Sequence, residues 1–195
     1  MEIIRHRRNT SSELAETPHE YGIEFDLRSE GSRLILHHDP FVGGEEFSAW
    51  LEEYRHGTLI VNVKEEGLEQ AALDILRAHN VERFFFLDQS FPFLIKTART
   101  GERRCAVRVS EYESIQTALA LSGRIDWIWV DCFTRFPLAR SDADQLREAG
   151  FKLCLVSPEL QGRSAEQEIP EMRSLLKELG IAIEAVCTKA PDLWR

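Results

Sequence analysis

Within the first 64 residues, seven side chains stand where their types could together handle protons, cations and phosphates: His6, Arg7, Glu24, Asp26, His38, Asn62 and Lys64. Glu24 and Asp26 stand two apart in the apolar run YGIEFDL, so a strand there turns both to one face and Ile23, Phe25 and Leu27 to the other. Paired carboxylates in a confined site repel unless a proton or cation intervenes, and hard oxygen ligands suit Mg²⁺ or Ca²⁺. The competing reading is an exposed polar strand face. His6 and His38 each follow an apolar run, and two histidines can divide proton removal and proton donation. Singly, either has a bland explanation as a structural or surface residue; it is the joint pattern that points to chemistry. Arg7 and Lys64 suit a phosphate or its transition state, although Lys64 before Glu65 and Glu66 also reads as a solvated residue.

Positioning these groups requires strands that end near one another. Runs rich in Val, Ile, Phe and Trp predict strands over 2–6, 21–27, 58–63, 83–88, 104–109, 126–131, 151–156 and 182–187. Helical patterns fall over 45–56, 66–79, 92–100, 111–121, 142–149 and 169–179, with Gly or Asn stop signals at Gly57, Asn80, Gly101, Gly123, Gly150 and Gly180. Ser141 followed by Asp144 suggests a capping box at the 142–149 helix. Regular alternation implies parallel pairing with right-handed crossovers, and eight strands suffice to close a (β/α)₈ barrel. The expected fold is a minimal TIM barrel with stunted first and last helices, in one domain spanning 1–195; an open doubly wound sheet is the alternative.

A barrel gathers function where its strands end. Those ends carry, besides the seven residues above, Asp88, Arg108, Ser110, Asp131, Ser157, Glu159, Thr188 and Lys189. Asp131 could order a substrate hydroxyl, but Trp127 and Trp129 before it are more typical of barrel core; Arg108, Glu111 and Glu159 read as rim contacts or as a solvated mouth. A net charge of −9 argues against a nucleic-acid partner. No long apolar run or cleavable leader is visible in the sequence, and Cys105, Cys132, Cys154 and Cys187 lie in apolar runs with no Cys-x-x-Cys spacing. Buried free thiols, a cytoplasmic setting and no membrane insertion are therefore expected.

The segment from His6 to Pro40 resembles the N-terminal signature of the glycerophosphodiester phosphodiesterases, in the phosphatidylinositol phospholipase C-like superfamily. That signature reads His-Arg-Gly, Glu-x-Asp, His-Asp-Pro, and this chain has His6-Arg7, Glu24-Phe25-Asp26 and His38-Asp39-Pro40. CTKAPDLW, 187–194, resembles the family's terminal Thr-Asp-x-Pro strand. The resemblance implies that His6 and His38 form the acid–base pair, that Arg7 and Lys64 bind the phosphate, and that Glu24 and Asp26 hold a divalent metal.

Two departures stand out. The family's Glu-x-Lys falls on Asn62-Val63-Lys64, so a neutral amide replaces the third metal carboxylate, with Glu66 or Asp88 as possible substitutes. Arg8 replaces a glycine, where it could add a phosphate contact or narrow the mouth. The insertion after His-Asp-Pro is also nearly absent. The implied activity is metal-dependent cleavage of a small phosphodiester bearing glycerol phosphate, by an internal hydroxyl or by water. The alternatives are a barrel that has lost turnover and only binds a phosphorylated metabolite or partner, and an enzyme acting on a phosphodiester-decorated glycan or lipid headgroup.

Overall fold

The computed structural model describes residues 1–195. Its strands are β1 (Glu2–Arg5), β2 (Gly22–Glu30), β3 (Arg33–Leu36), β4 (Glu45–Glu46), β5 (Leu59–Val63), β6 (Phe84–Leu87), β7 (Ala106–Val109), β8 (Trp127–Val130), β9 (Lys152–Val156) and β10 (Ala185–Thr188). The helices are α1 (Ser11–Ala15), α2 (Phe47–Glu52), α3 (Glu69–Ala78), α4 (Phe91–Arg99), α5 (Ile115–Leu119), α6 (Arg140–Glu148) and α7 (Ala165–Leu179). None is long and apolar enough to cross a membrane.

Every strand expected from the sequence is present, and all eight run parallel in a curled sheet. The ladders follow β7-β8-β9-β10-β1-β2-β5-β6. A ladder running continuously round a closed barrel is not seen. Between β6 and β7 only Phe86 and Cys105 form a bridge, with the Phe86 N–H donating to Arg104 O at 2.8 Å. Directly after β6, Asp88 has φ +57°, which ends the extended run of that strand.

Strand alternation sorts the side chains into two layers. Ile23, Phe25, Leu27, Val61, Phe86, Ile128 and Val186 pack outward against the helices. Ile4, Ile60, Phe85, Trp127, Trp129, Cys154 and Cys187 fill the interior, where Trp127 stacks on Phe85 at 4.5 Å. All four cysteines are free and buried, as expected. The helices cover the outer layer with apolar stripes, such as Ile169, Met172 and Leu176 of α7. That helix ends where Gly180 adopts φ +64° and Ile181 N–H reaches Leu176 O, satisfying a terminal carbonyl.

The differences from expectation lie in the connections. β3 and β4 are an antiparallel addition to the edge of β2, so Glu45 and Glu46 are strand rather than helix and α2 is shorter than 45–56. Glu45 and Glu46 instead pair with Leu36 and Ile35, and the Glu45 carboxylate accepts the N–H and Oγ–H of Ser11. α5 likewise begins only at Ile115, since Glu111 is used as an acceptor by the loop 133–135. Asp142, not Asp144, caps α6, accepting the Ala139 N–H at 2.8 Å. A full capping box occurs instead at Thr10 and Glu13, opening α1.

Candidate active site

Glu24 and Asp26 lie side by side on β2, each 1% exposed, at the strand ends where the sheet opens. The chain leaving β1 wraps against them. β1 pairs with β2 only as far as Ile23, and the β3 side begins only where His37 N–H reaches Asp26 O at 3.1 Å, so the Glu24 backbone and the Asp26 N–H between them face no strand. Residues 7–9 stand in for one. Arg7 N–H donates to Glu24 Oε2 at 2.6 Å, Arg8 N–H donates to Glu24 O at 2.8 Å, and Asp26 N–H donates to Asn9 Oδ1 at 2.8 Å. Asn9 then returns its Nδ2 to Asp26 Oδ2 at 2.9 Å. Arg7 takes φ +53° to make this turn.

Cations and amides complete the ring. Arg7 Nε is 3.3 Å from Asp26 Oδ2, and Lys64 Nζ is 3.2 Å from Asp26 Oδ1. Asn62 donates Nδ2 to Glu24 Oε1 at 2.8 Å across the β2–β5 ladder. His6 Nε2 is 3.7 Å from Glu24 Oε2, while its Nδ1 is buried without a partner. Burial, then the charges of Arg7 and Lys189, push the His6 pKa down to about 3, so the ring is neutral across the physiological range. Burial and the neighbouring Asp26 push Glu24 upward.

Six of the seven expected residues are thus brought together, and His38 is not. Its backbone carbonyl is clamped by Arg28, its Nδ1 meets Asp39 Oδ1 at 2.8 Å, and its ring stands on the rim with no contact to the carboxylate pair. Arg8 makes no side-chain contact with the carboxylates; its N–H donates to the Glu24 backbone carbonyl, and its charge, after burial, lowers the Arg5 pKa. Asn9 was not evident from strand ends, because it lies in the following loop; a short amide just before a Thr-x-x-Glu helix start is the signal that marks it.

The remaining polar residues form a second arc. Asp88 pairs with Arg108 and sits 3.7 Å from Lys64 Nζ. Arg108 also reaches Asp131 at 3.1 Å, and Asp131 accepts from Gln161 Nε2 at 2.6 Å. Glu159 accepts from Ser157, Thr188 and the Lys189 N–H, and Ser157 in turn receives the Trp194 indole at 2.8 Å. Ser110 donates to Glu113. Glu66 is exposed and Asp88 is engaged elsewhere, so neither replaces the missing carboxylate.

No group of three Asp, Glu, His or Cys side chains is arranged to hold a metal ion. The oxygens on hand are those of Glu24, Asp26 and Asn62. Asn62 Oδ1 is buried with no hydrogen-bond partner, and Asp26 Oδ1 faces only the Lys64 ammonium, at 3.2 Å. Two carboxylates and an idle amide oxygen form a donor set that fits a hard divalent cation.

No protein-family model and no curated protein matches the sequence. Solved structures do. A glycerophosphodiester phosphodiesterase from Agrobacterium tumefaciens superposes with a TM-score of 0.69 over 99% of this chain and 98% of its own, at 14% identity. The fold is that of these enzymes. A glycerophosphoryl diester phosphodiesterase from Parabacteroides distasonis gives the same TM-score and identity, over 98% of this chain and 84% of its own. The α-subunit of tryptophan synthase from Pyrococcus furiosus follows at 0.59 and 11%, covering 96% of this chain and 86% of that one. The glycerophosphodiester phosphodiesterase fold thus extends along the whole chain, including the strand ends that carry Glu24 and Asp26.

Proposed function

We propose that this chain is a divergent member of the glycerophosphodiester phosphodiesterase family that cleaves small phosphodiesters. The observation that carries the reading is the buried Glu24–Asp26 pair, ringed by His6, Arg7 and Lys64 at the strand ends of that fold. The four buried free thiols accord with a reducing, cytoplasmic setting.

Arg7 and Lys64 reach over the carboxylates and can bind the nonbridging oxygens of a phosphodiester. His6, neutral and beside Glu24, accepts a proton from the attacking hydroxyl or water at Nε2. His38, its Nδ1 held by Asp39, has Nε2 free to deliver a proton to the departing alkoxide, so a substrate lying across the mouth is shared between the two rings. A Mg²⁺ or Ca²⁺ ion on Glu24, Asp26 and Asn62 would supply Lewis-acid polarisation of the phosphate. Phosphorus NMR with a panel of glycerophosphodiesters, in Mg²⁺, Ca²⁺ or chelator, tests the reading. A monoester or cyclic phosphate signal is expected, lost with chelator and lost in His6→Ala and His38→Ala; full turnover in either variant would remove that histidine from its role.

A second reading has its own support. In the arrangement seen, Glu24 and Asp26 are already satisfied by the amides of Asn9 and Asn62 and by Arg7 and Lys64. Such a cup can hold a phosphorylated metabolite without turning it over. Asn62→Glu separates the two: activity appearing in a silent protein favours the binding barrel, and no gain in an active one favours the enzyme.

A further inference from the structure

A cavity of about 720 Å³ opens at the interrupted seam between β6 and β7. Continuing the register of Phe86 and Cys105 would pair Leu87 with Ala106 and Asp88 with Val107; instead these residues form opposing walls of the cleft. Its mouth carries two aromatic rings, Phe91 at 48% and Tyr112 at 78% exposure, with Tyr112 resting on Phe133 at 5.8 Å. The cleft begins at Asp88, whose carboxylate is 3.7 Å from Lys64 Nζ, so it leads directly away from the proposed phosphate position.

The polar groups of the cleft are chiefly acceptors. The Arg108 guanidinium is taken by Asp88 and Asp131. Glu113 receives Ser110 on Oε2, and Oε1 has no partner. Gln89 commits its amide nitrogen to Glu69 and Thr97, which fixes its orientation and leaves its carbonyl oxygen without a hydrogen bond. Aromatic faces at the rim combined with idle oxygen acceptors are the chemistry that recognises a sugar ring. The C–H face lies on the aromatic group and the hydroxyls donate to the oxygens. The volume also exceeds what a glycerol or choline group fills, and suits a hexose or larger.

We propose that this cleft binds the sugar-like alcohol portion of a phosphodiester whose phosphate lies at Arg7 and Lys64. The inference rests on the phosphodiesterase reading for the phosphate but on the cleft alone for the sugar. Saturation-transfer NMR tests the cleft without turnover, using methyl α-glucoside, methyl α-galactoside and choline chloride with the intact chain and with His6→Ala. Transfer to the ring protons of a hexoside is expected in both proteins, with an affinity about tenfold weaker in Tyr112→Ala. Glu113→Gln, which keeps an acceptor for Ser110, should weaken it as well. With a glycerophosphoryl hexose as substrate, Tyr112→Ala should raise KM about tenfold, by more than it lowers kcat. Absence of hexoside transfer, or transfer to choline alone, overturns the proposal. Hexoside binding that depends on Tyr112 with no turnover of any diester keeps the sugar site and overturns the phosphodiesterase reading.

Discussion

Replacing Asn9 with Ala tests how the carboxylate pair is held. The side chain accepts the Asp26 N–H at 2.8 Å and donates to Asp26 Oδ2 at 2.9 Å, and Asp26 is 1% exposed. Removing it leaves a buried N–H with no strand to replace the partner, because β1 has already separated from β2 at this level. An orphaned buried donor costs about 1–3 kcal/mol, and the bond to an ionised acceptor adds about 1.5 kcal/mol or more. Allowing for a water that partly restores the contacts, the expected loss is about 2–3 kcal/mol. Urea unfolding followed by tryptophan fluorescence measures it, with an unchanged m-value showing that the folded and unfolded states have kept their extents. Asn9→Asp sharpens the test. It keeps an acceptor for the Asp26 N–H but sets a carboxylate against Asp26 Oδ2, so its destabilisation should grow as pH rises and its new carboxylate ionises. A loss below about 0.5 kcal/mol in Asn9→Ala, or an Asn9→Asp variant insensitive to pH, would refute the idea that residues 7–9 act as a missing strand.

Three further outcomes follow from the same geometry. Lys64→Ala removes a cation that lies 3.2 Å from Asp26 Oδ1; kcat/KM toward a glycerophosphodiester should fall about 10²–10³-fold in a phosphorus NMR assay, while the fold persists by circular dichroism. Gly22→Ala would set a Cβ 2.6 Å from Thr58 O, a backbone atom that cannot turn aside, so about 1–3 kcal/mol should be lost in thermal unfolding with no change in the ligands of the site. Glu111 is opposed by burial, but the N–H groups of Thr134 and Arg135 and the Thr134 hydroxyl lower its pKa from 4.5 to about 2. Its contribution, about 1 kcal/mol after solvent screening, is present above pH 4.5 and lost as pH falls toward 2; Glu111→Gln should flatten that part of the stability–pH curve.

The strands were legible because each is a short apolar run set off by turn or helix-stop signals, a pattern that survives even in FFFL of β6, buried throughout. The inward turn of Glu24 and Asp26 followed from period two alone. The role of Asn9 did not, because it depends on β1 ending before β2 does, which is a property of neighbouring strands rather than of either sequence. The same is true of the β6–β7 seam: nothing in FFFLD announces that Asp88 adopts a left-handed conformation. His38 stands apart for a related reason, since the β3–β4 addition sets where its loop emerges. Side-chain placement was legible where one strand decides it, and was missed where two strands of unequal length decide it together.

The single bridge between β6 and β7 also orders the chain in time. The full β1–β10 ladder joins segments from opposite ends of the sequence, whereas β6 and β7, close in sequence, are almost unjoined. During synthesis the strands through β6 gain one neighbour after another, but β1 keeps an open edge until β10 has emerged. The wall of the barrel that carries His6 is therefore completed last. Conversely, a break in the exposed turn at Gly101, where φ is +92° and nothing crowds the backbone, severs little more than one bridge of the sheet. The two resulting pieces would meet through the β1–β10 edge, so the molecule is, in terms of assembly, two halves of four parallel strands each, the first also carrying β3 and β4, welded where its ends meet.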